Sequence, residues 1–250
     1  MNIENRLSAL RSNAPEVVVT GTLLGAGLAD GYRTFESPVG PVAVTFNPDG
    51  VSSVDLFDDD LEERFASRFG RPAVAAAPPR GWDVKIGRAI ERGTPGDLPV
   101  DLRSVTEFQR SVLEVTARIP RGEVRPYGWL AEQIGNPGAV RAVGSTMARN
   151  PVPLIIPCHR VVRTDGHIGN YSLGGPHNKR ELLTFEGTDP DRLERLAGRQ
   201  VRFLGSDTTH VFCHPTCRHA RRITDPHRVE FHSSDEAQEA GYRPCLDCRP

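Results

Sequence analysis

The stretch PLIIPCHRVVR, residues 153–163, contains Cys158, the only cysteine of the first two hundred residues. A thiol at the end of an apolar strand is a small buried hydrophobe, whereas a thiol beside a base is a nucleophile. His159 follows directly, and an imidazole there can accept or orient the thiol proton. Pro153 and Pro157 bracket the segment, read as a strand, and stiffen it in the way a site requires. Downstream, GHIGNYSLGGP (166–176) sets four glycines around Tyr171 and Ser172, a composition suited to a loop closing over a ligand. The Cys-His pair by itself also fits a thiol hydrolase or a redox cysteine.

The other four cysteines crowd the C-terminal end. Three residues separate Cys213 from Cys217, 27 separate Cys217 from Cys245, and two separate Cys245 from Cys248. Paired short spacings across a loop predict a tetrahedral zinc site of four thiolates. The stretch also carries His210, His214, His219, His227 and His232. Any of them is a potential ligand, but four cysteines already close the shell. So few large apolar residues call for a staple, and zinc supplies folding free energy.

These residues sit in an ordinary soluble chain of 250 residues with 38% hydrophobic and 25% charged residues. No apolar run approaches a membrane span, and the N-terminal sixteen residues lack the apolar core of a signal peptide. A cytoplasmic monomer that avoids membranes is expected. The net charge of −1 hides a gradient: residues 106–187 hold 10 Lys+Arg against 7 Asp+Glu. This segment contains Cys158, and its mild positive balance permits a nucleic-acid surface without demanding one.

Four regions follow from the patterning: an N-terminal helical extension (1–31), a β-rich subdomain (32–103), a helical active domain (104–190) and a zinc domain (200–250). Residues 32–56 alternate β-branched residues around two turn signals and predict an antiparallel meander. Residues 60–69 predict a helix, and PAVAAAPPRG (72–81) a loop. Ser104 and Glu107 stand at capping-box spacing before a helix with Phe108, Val112 and Val115 on one face. YGWLAEQIG gives a second helix, NPG (136–138) a break, and AVRAVGSTMARN a third helix, which together fit a helix-turn-helix. On the third helix Val140, Val143 and Met147 form one stripe, and Arg141, Ser145 and Arg149 another, with Gly144 between them. The polar stripe is either a solvated face or a surface that approaches a nucleic-acid backbone.

The run RAVGSTMARNPVPLIIPCHRVV together with GNYSLGG closely resembles the O6-alkylguanine-DNA alkyltransferases, from about Phe108 to Gly187. It extends more loosely through SPVGPVAVTFNPDGVSSV, similar to that family's β-rich, RNase H-like N-terminal subdomain. The resemblance implies an α+β protein that repairs double-stranded DNA containing O6-alkylguanine, in one irreversible turnover and without a cofactor for the transfer. Cys158 would accept the alkyl group, and His159 would relay a proton through water toward Glu186. Tyr127 would donate a hydrogen bond as guanine leaves, and Asn150 would brace the site. Arg141 would insert into the base stack while the helix bearing Gly144, Ser145 and Arg149 enters the minor groove. Tyr171 and Ser172 would line the pocket, Val161 would contact the base through its backbone, and Lys179 matches a position nearby. Two departures stand out: Pro126 replaces the usual Ser before Tyr127, and Leu173 replaces a frequent Gly and is expected to narrow the pocket.

Residues 200–250 resemble the metal-binding domain of the bacterial Ada response protein, on VFCHPTCR and EAQEAGYRPCLDCRP. That implies a zinc-bound Cys213 that takes methyl from a DNA methylphosphotriester, with Arg218, Arg221, Arg222 and Arg228 against the backbone. In Ada this domain comes first, and here it follows, which speaks against transcriptional activation. Two other functions remain open to the residues: a non-catalytic module that binds or regulates at alkyl lesions, and a Cys-His hydrolase.

Overall fold

The computed structural model describes residues 16–250. Its architecture is α+β, as expected. The predicted N-terminal extension falls partly outside the described residues, which open on helix α1 (Glu16–Gly25). The meander forms as β1 (Asp30–Phe35), β2 (Val42–Asn47) and β3 (Gly50–Leu56), antiparallel in sequence order. Helix α2 (Leu61–Phe69) follows, burying Leu61 and Phe65.

The expected loop 72–81 instead contributes β4 (Ala73–Ala75), parallel to β1, so the sheet order is β3-β2-β1-β4. Three small residues alone carry no strand period; the open edge of β1 supplies the hydrogen bonds. Helix α3 (Trp82–Arg92) then buries Ile86, Ala89 and Ile90 and stops at left-handed Gly93.

The active domain begins at α4 (Glu107–Thr116). Its cap is Thr106 with Gln109, reciprocally bonded, rather than Ser104 with Glu107. Strand β5 (Arg125–Pro126) leads into α5 (Tyr127–Gln133), a short 3-10 turn (Pro137–Ala139) and α6 (Val140–Ala148). Val143 and Met147 bury the apolar stripe of α6, together with Thr146. Short β6 (Val161–Val162) pairs parallel with β5. Helices α7 (Gly175–Phe185) and α8 (Pro190–Gly198) complete the domain.

A second sheet, ordered β10-β8-β7-β9, builds the C-terminal domain from β7 (Phe203–Ser206), β8 (Val211–Cys213), β9 (Arg228–Phe231) and β10 (Arg243–Pro244). Helix α9 (Ser234–Glu239) lies between β9 and β10. The N-terminal sheet and the active domain share one apolar core, from Val44 and Val54 through Ile86 and Leu113 to Leu130, Ile155 and Cys158. The C-terminal domain holds two smaller clusters: Leu196 of α8 with Val201, Leu204 and Ala220 around its four cysteines, and Phe212, Phe231 and Ala237 with Phe203, Val229 and Tyr242 against them.

One buried ion pair joins these parts. The Arg160 side chain, 1% exposed, donates to the carbonyls of Arg92, Gly93 and Ile119 and to both carboxylate oxygens of Glu186. Gly93 must be glycine, because a Cβ there would lie 2.1 Å from the Arg160 guanidinium. Burial works to raise the Glu186 carboxyl, but hydrogen bonds from His159 and Arg160 outweigh it and hold the group at about 2. A carboxyl depressed in the folded state stabilises fully above its ordinary pKa and loses that contribution as pH falls toward the folded value. Stability should therefore drop by about 3 kcal/mol between pH 4.5 and 2 on account of this group. Urea midpoints across that range will show it, and Glu186→Gln should be less stable at neutral pH with a flatter acid limb.

Candidate active site and metal centre

Cys158 is 4% exposed and opens a one-turn 3-10 helix, Cys158–Arg160, rather than ending a strand. Residues 153–156 form a turn. Leu154 lies in the left-handed region at φ 71°, and the Ile156 N–H reaches back to the Val152 carbonyl at 2.9 Å. A leucine there costs on the order of 1–3 kcal/mol. Its side chain, 1% exposed in the core, holds it in place. The prolines thus frame a strained turn, and the apolar residues between them face the core.

Asn150 joins α6 to this turn. Its amide donates to the Ile156 carbonyl (2.8 Å) and to Cys158 Sγ (3.1 Å), while its oxygen accepts from the Val152 N–H (3.1 Å). Burial pushes the Cys158 thiol up; the Asn150 amide, the Lys179 charge and the Ser172 hydroxyl work in the opposite direction. The thiol is therefore protonated at rest.

His159 is buried beside it. Nε2 lies 2.9 Å from Glu186 Oε1, and Nδ1 has no protein partner. Burial lowers the imidazole against the opposing pull of Glu186, so the ring is neutral. Facing an ionised carboxylate, Nε2 carries the proton and donates; the free lone pair is then on Nδ1.

Tyr127, half-buried at the start of α5, is raised by burial and by the charge that Cys158 carries once ionised, which places it within the field of the sulfur. Tyr171 is buried with its ring edge-on to His159, centroids 6.1 Å apart, and its hydroxyl has no protein partner. Ser172 is exposed beside it. Lys179 is fully buried on α7 and donates to the carbonyls of Val161 (2.6 Å), Ile168 (2.7 Å) and Asn170 (3.3 Å). Burial lowers its pKa to about 8. This lysine pins the glycine-rich loop from beneath. The Val161 N–H goes to the Cys158 carbonyl, and its own carbonyl accepts from Lys179 and keeps a second lone pair. Arg160 is the residue that sequence reasoning left without a role; its position next to the Cys-His pair was the available signal.

On α6, Arg141, Ser145 and Arg149 are exposed. Among the described residues neither arginine forms an ion pair, and the Ser145 hydroxyl turns back to the Arg141 carbonyl (3.2 Å). A Cβ on Gly144 would meet nothing within 4 Å, so no packing inside the protein requires glycine there. The space it leaves opens outward from the helix, beside the polar stripe.

Cys213, Cys217, Cys245 and Cys248 converge, with their sulfurs all within 4.8 Å of one another and all four buried. Tetrahedral zinc–thiolate bonds of about 2.3 Å imply sulfurs roughly 3.8 Å apart. The four residues fit that ion, and no histidine joins them. Of the arginines expected against DNA, Arg218 is paired with Asp247 (2.5 Å) and Arg228 with Asp225, while Arg221 and Arg222 are exposed. Cys213 is 1% exposed, and the surface cleft of this domain borders Cys245 instead.

Residues 107–188 match the family model for the DNA-binding domain of 6-O-methylguanine DNA methyltransferase, and residues 197–250 that for the metal-binding domain of Ada. The methylated-DNA–protein-cysteine methyltransferase of Mycobacterium tuberculosis is 34% identical over 155 residues, 62% of this chain and 91% of that protein. The bifunctional transcriptional activator/DNA repair enzyme Ada of Escherichia coli is 37% identical over 174 residues, 67% of this chain and 48% of that one. A crystal structure of Mycobacterium tuberculosis OGT in complex with DNA aligns with TM-score 0.51 at 34% identity, covering 65% of this chain and 98% of that one. With a strained turn that presents Cys158, a neutral His159 on Glu186, and these matches along the same residues, the chain belongs to the methylated-DNA–protein-cysteine methyltransferase family.

Proposed function

We propose that this protein repairs DNA by transferring an alkyl group from O6 of a flipped-out guanine to Cys158, once per molecule. The observation that carries this is the thiol on Asn150 next to a neutral histidine whose far nitrogen is anchored on a carboxylate. A module that only binds lesions has no use for that arrangement.

The chemistry follows from the groups present. The Cys158 proton passes to His159 Nδ1, through water as the resemblance implies, and the imidazolium that forms is stabilised by Glu186. Asn150, Ser172 and the Lys179 charge favour the thiolate as it develops. Sulfur attacks the alkyl carbon in line, the S–C bond forms and the C–O6 bond breaks. The electron pair of the broken bond stays on guanine, which takes up one proton, so that neither charge nor atoms are left over. Tyr127 would donate toward the departing base. The resulting thioether is not hydrolysed, and the molecule is spent.

A guanine in a duplex hides its O6 substituent, so the nucleotide must leave the stack at a cost of a few kcal/mol. Arg141 on the exposed stripe of α6 would fill the gap, and the open surface at Gly144 lets the helix approach the backbone. Cys213, Cys217, Cys245 and Cys248 would hold zinc, which when bound supplies folding free energy to a domain with only two small apolar clusters. No step at Cys158 is assigned to that metal. Methyl transfer from a phosphotriester to Cys213 rests on the Ada resemblance alone, and its sulfur lies below the surface.

Two measurements test this assignment. After incubation with a duplex containing O6-methylguanine, mass spectrometry should find one methyl per chain, on the Cys158 peptide, and none in Cys158→Ala. Unmodified protein after complete reaction time would rule the proposal out. Arg141→Ala should slow transfer from the duplex by roughly ten- to a hundredfold, the equivalent of a few kcal/mol of flipping cost. Transfer from a single-stranded oligonucleotide, which needs less unstacking, should change far less. Equal losses on both substrates would remove Arg141 from the flipping step.

A further inference from the structure

Residues 122–129 are gripped from two sides. On the active-site side, the Gly122 N–H donates to Glu186 Oε2 (3.2 Å), and its carbonyl accepts from the Thr188 hydroxyl (2.9 Å). Arg125 and Pro126 pair with Val161 and Val162, directly after the turn that bears the nucleophile. Tyr127 belongs to the same segment. Glu186 and Tyr127, the two groups that serve His159 and the leaving base, are therefore both set by how this stretch of backbone lies.

The opposite side is held by the metal domain. Thr216 Oγ1 accepts from the Val124 N–H at 2.8 Å. Glu123, 4% exposed, accepts from the Arg218 N–H (3.1 Å) through one oxygen and from Arg125 (2.5 Å) through the other. The Trp129 indole N–H donates to the Arg249 carbonyl at 2.9 Å. Each contact from the metal domain comes from a residue directly adjacent to a cysteine of the cluster. Thr216 and Arg218 flank Cys217, and Arg249 follows Cys248. Few aliphatic side chains hold these loops, so the cluster decides whether they keep their shape.

We propose that the metal domain is a positioning clamp for the reaction at Cys158. With its four thiolates on zinc, Thr216, Arg218 and Arg249 fix residues 122–129, and through them Gly122 and Tyr127, against the nucleophile. Loss of the metal loosens the loops, the segment shifts, and transfer slows although Cys158, His159 and Glu186 are unchanged. Thr216 and Glu123 are on this view positioning residues: they touch neither the lesion nor the sulfur. The proposal rests on Cys158 being the alkyl acceptor and adds to it a dependence on an ion bound elsewhere.

The test uses the full chain in two arms. In the first, zinc is removed with a chelator and restored in a Trp82→Phe background, which leaves Trp129 as the sole indole of the two in the sequence. Removal should red-shift the Trp129 emission as its N–H leaves the Arg249 carbonyl. It should also lower the single-turnover rate constant at saturating O6-methylguanine duplex by about tenfold, and zinc should restore both. In the second arm, Thr216→Val with full zinc content removes the acceptor for Val124 and should slow transfer by about tenfold, as the loss of a buried hydrogen bond implies. Thr216→Ser, which keeps the hydroxyl, should react like the parent. Zinc-free protein that transfers at the loaded rate with unshifted Trp129 emission would overturn the clamp, as would an unimpaired Thr216→Val. No transfer from zinc-loaded parent protein would instead overturn the alkyltransferase assignment, and the clamp with it.

Discussion

The carboxylate of Glu186 is the constraint on which the rest of the structure depends. It receives Arg160, His159 and the Gly122 N–H, with its side chain 4% exposed. A buried charge with any of these missing would be costly, because the pair is desolvated and the Coulomb gain no longer offsets that cost. Satisfied as it is, the group does two things at once. Through Arg160 it ties the end of α3 and the residue Ile119 to the nucleophile turn. Through His159 it decides which ring nitrogen keeps a lone pair. The tautomer of His159 is thus a by-product of an interaction that also holds subdomains together.

The same economy appears on the other face of the nucleophile. Asn150 spends its amide and its oxygen on a single turn, so the end of the polar-striped helix α6 and the sulfur cannot move independently. Lys179 spends all three protons on backbone carbonyls of β6 and the glycine-rich loop. A lysine that is fully buried normally sheds its proton readily. Here three carbonyl acceptors favour the charged form, and a positive charge close to Cys158 follows without any contact to the sulfur itself.

Much of this was legible in the residues. Hydrophobic period 3.6 on Val140, Val143 and Met147 located the buried face of α6, and thereby the exposed arginines. Cysteine spacing alone brought four sulfurs together. What failed were elements whose hydrogen bonds come from afar. Ala73–Ala75 is a strand because β1 offers an edge, and no local pattern marks it. Thr106 capped α4 in place of Ser104 because Gln109 reaches back as well as Glu107 could, and spacing does not choose between them. The apolar run 153–156 looked extended but turns, since a left-handed leucine is paid for by core packing that only the folded chain provides. Arg160 lay in plain sight, yet its acceptors sit 26 to 68 residues away in sequence.

The raised thiol of Cys158 looks at first like poor design for a nucleophile. An enzyme that turns over gains from a thiolate at rest, because every cycle starts from it. A protein that reacts once is under a different requirement. A standing thiolate would meet other alkylating agents and oxidants before it met a lesion, and each such encounter would consume the molecule. With the proton kept on sulfur by burial and a neutral histidine beside it, ionisation becomes, in the proposed transfer, part of the reaction instead of its prelude. Asn150, Ser172 and Lys179 all favour negative charge on this sulfur. Selectivity then comes from requiring the alkyl carbon to arrive in line within a buried site, which is a demand that a flipped nucleotide can meet and most small electrophiles in water cannot.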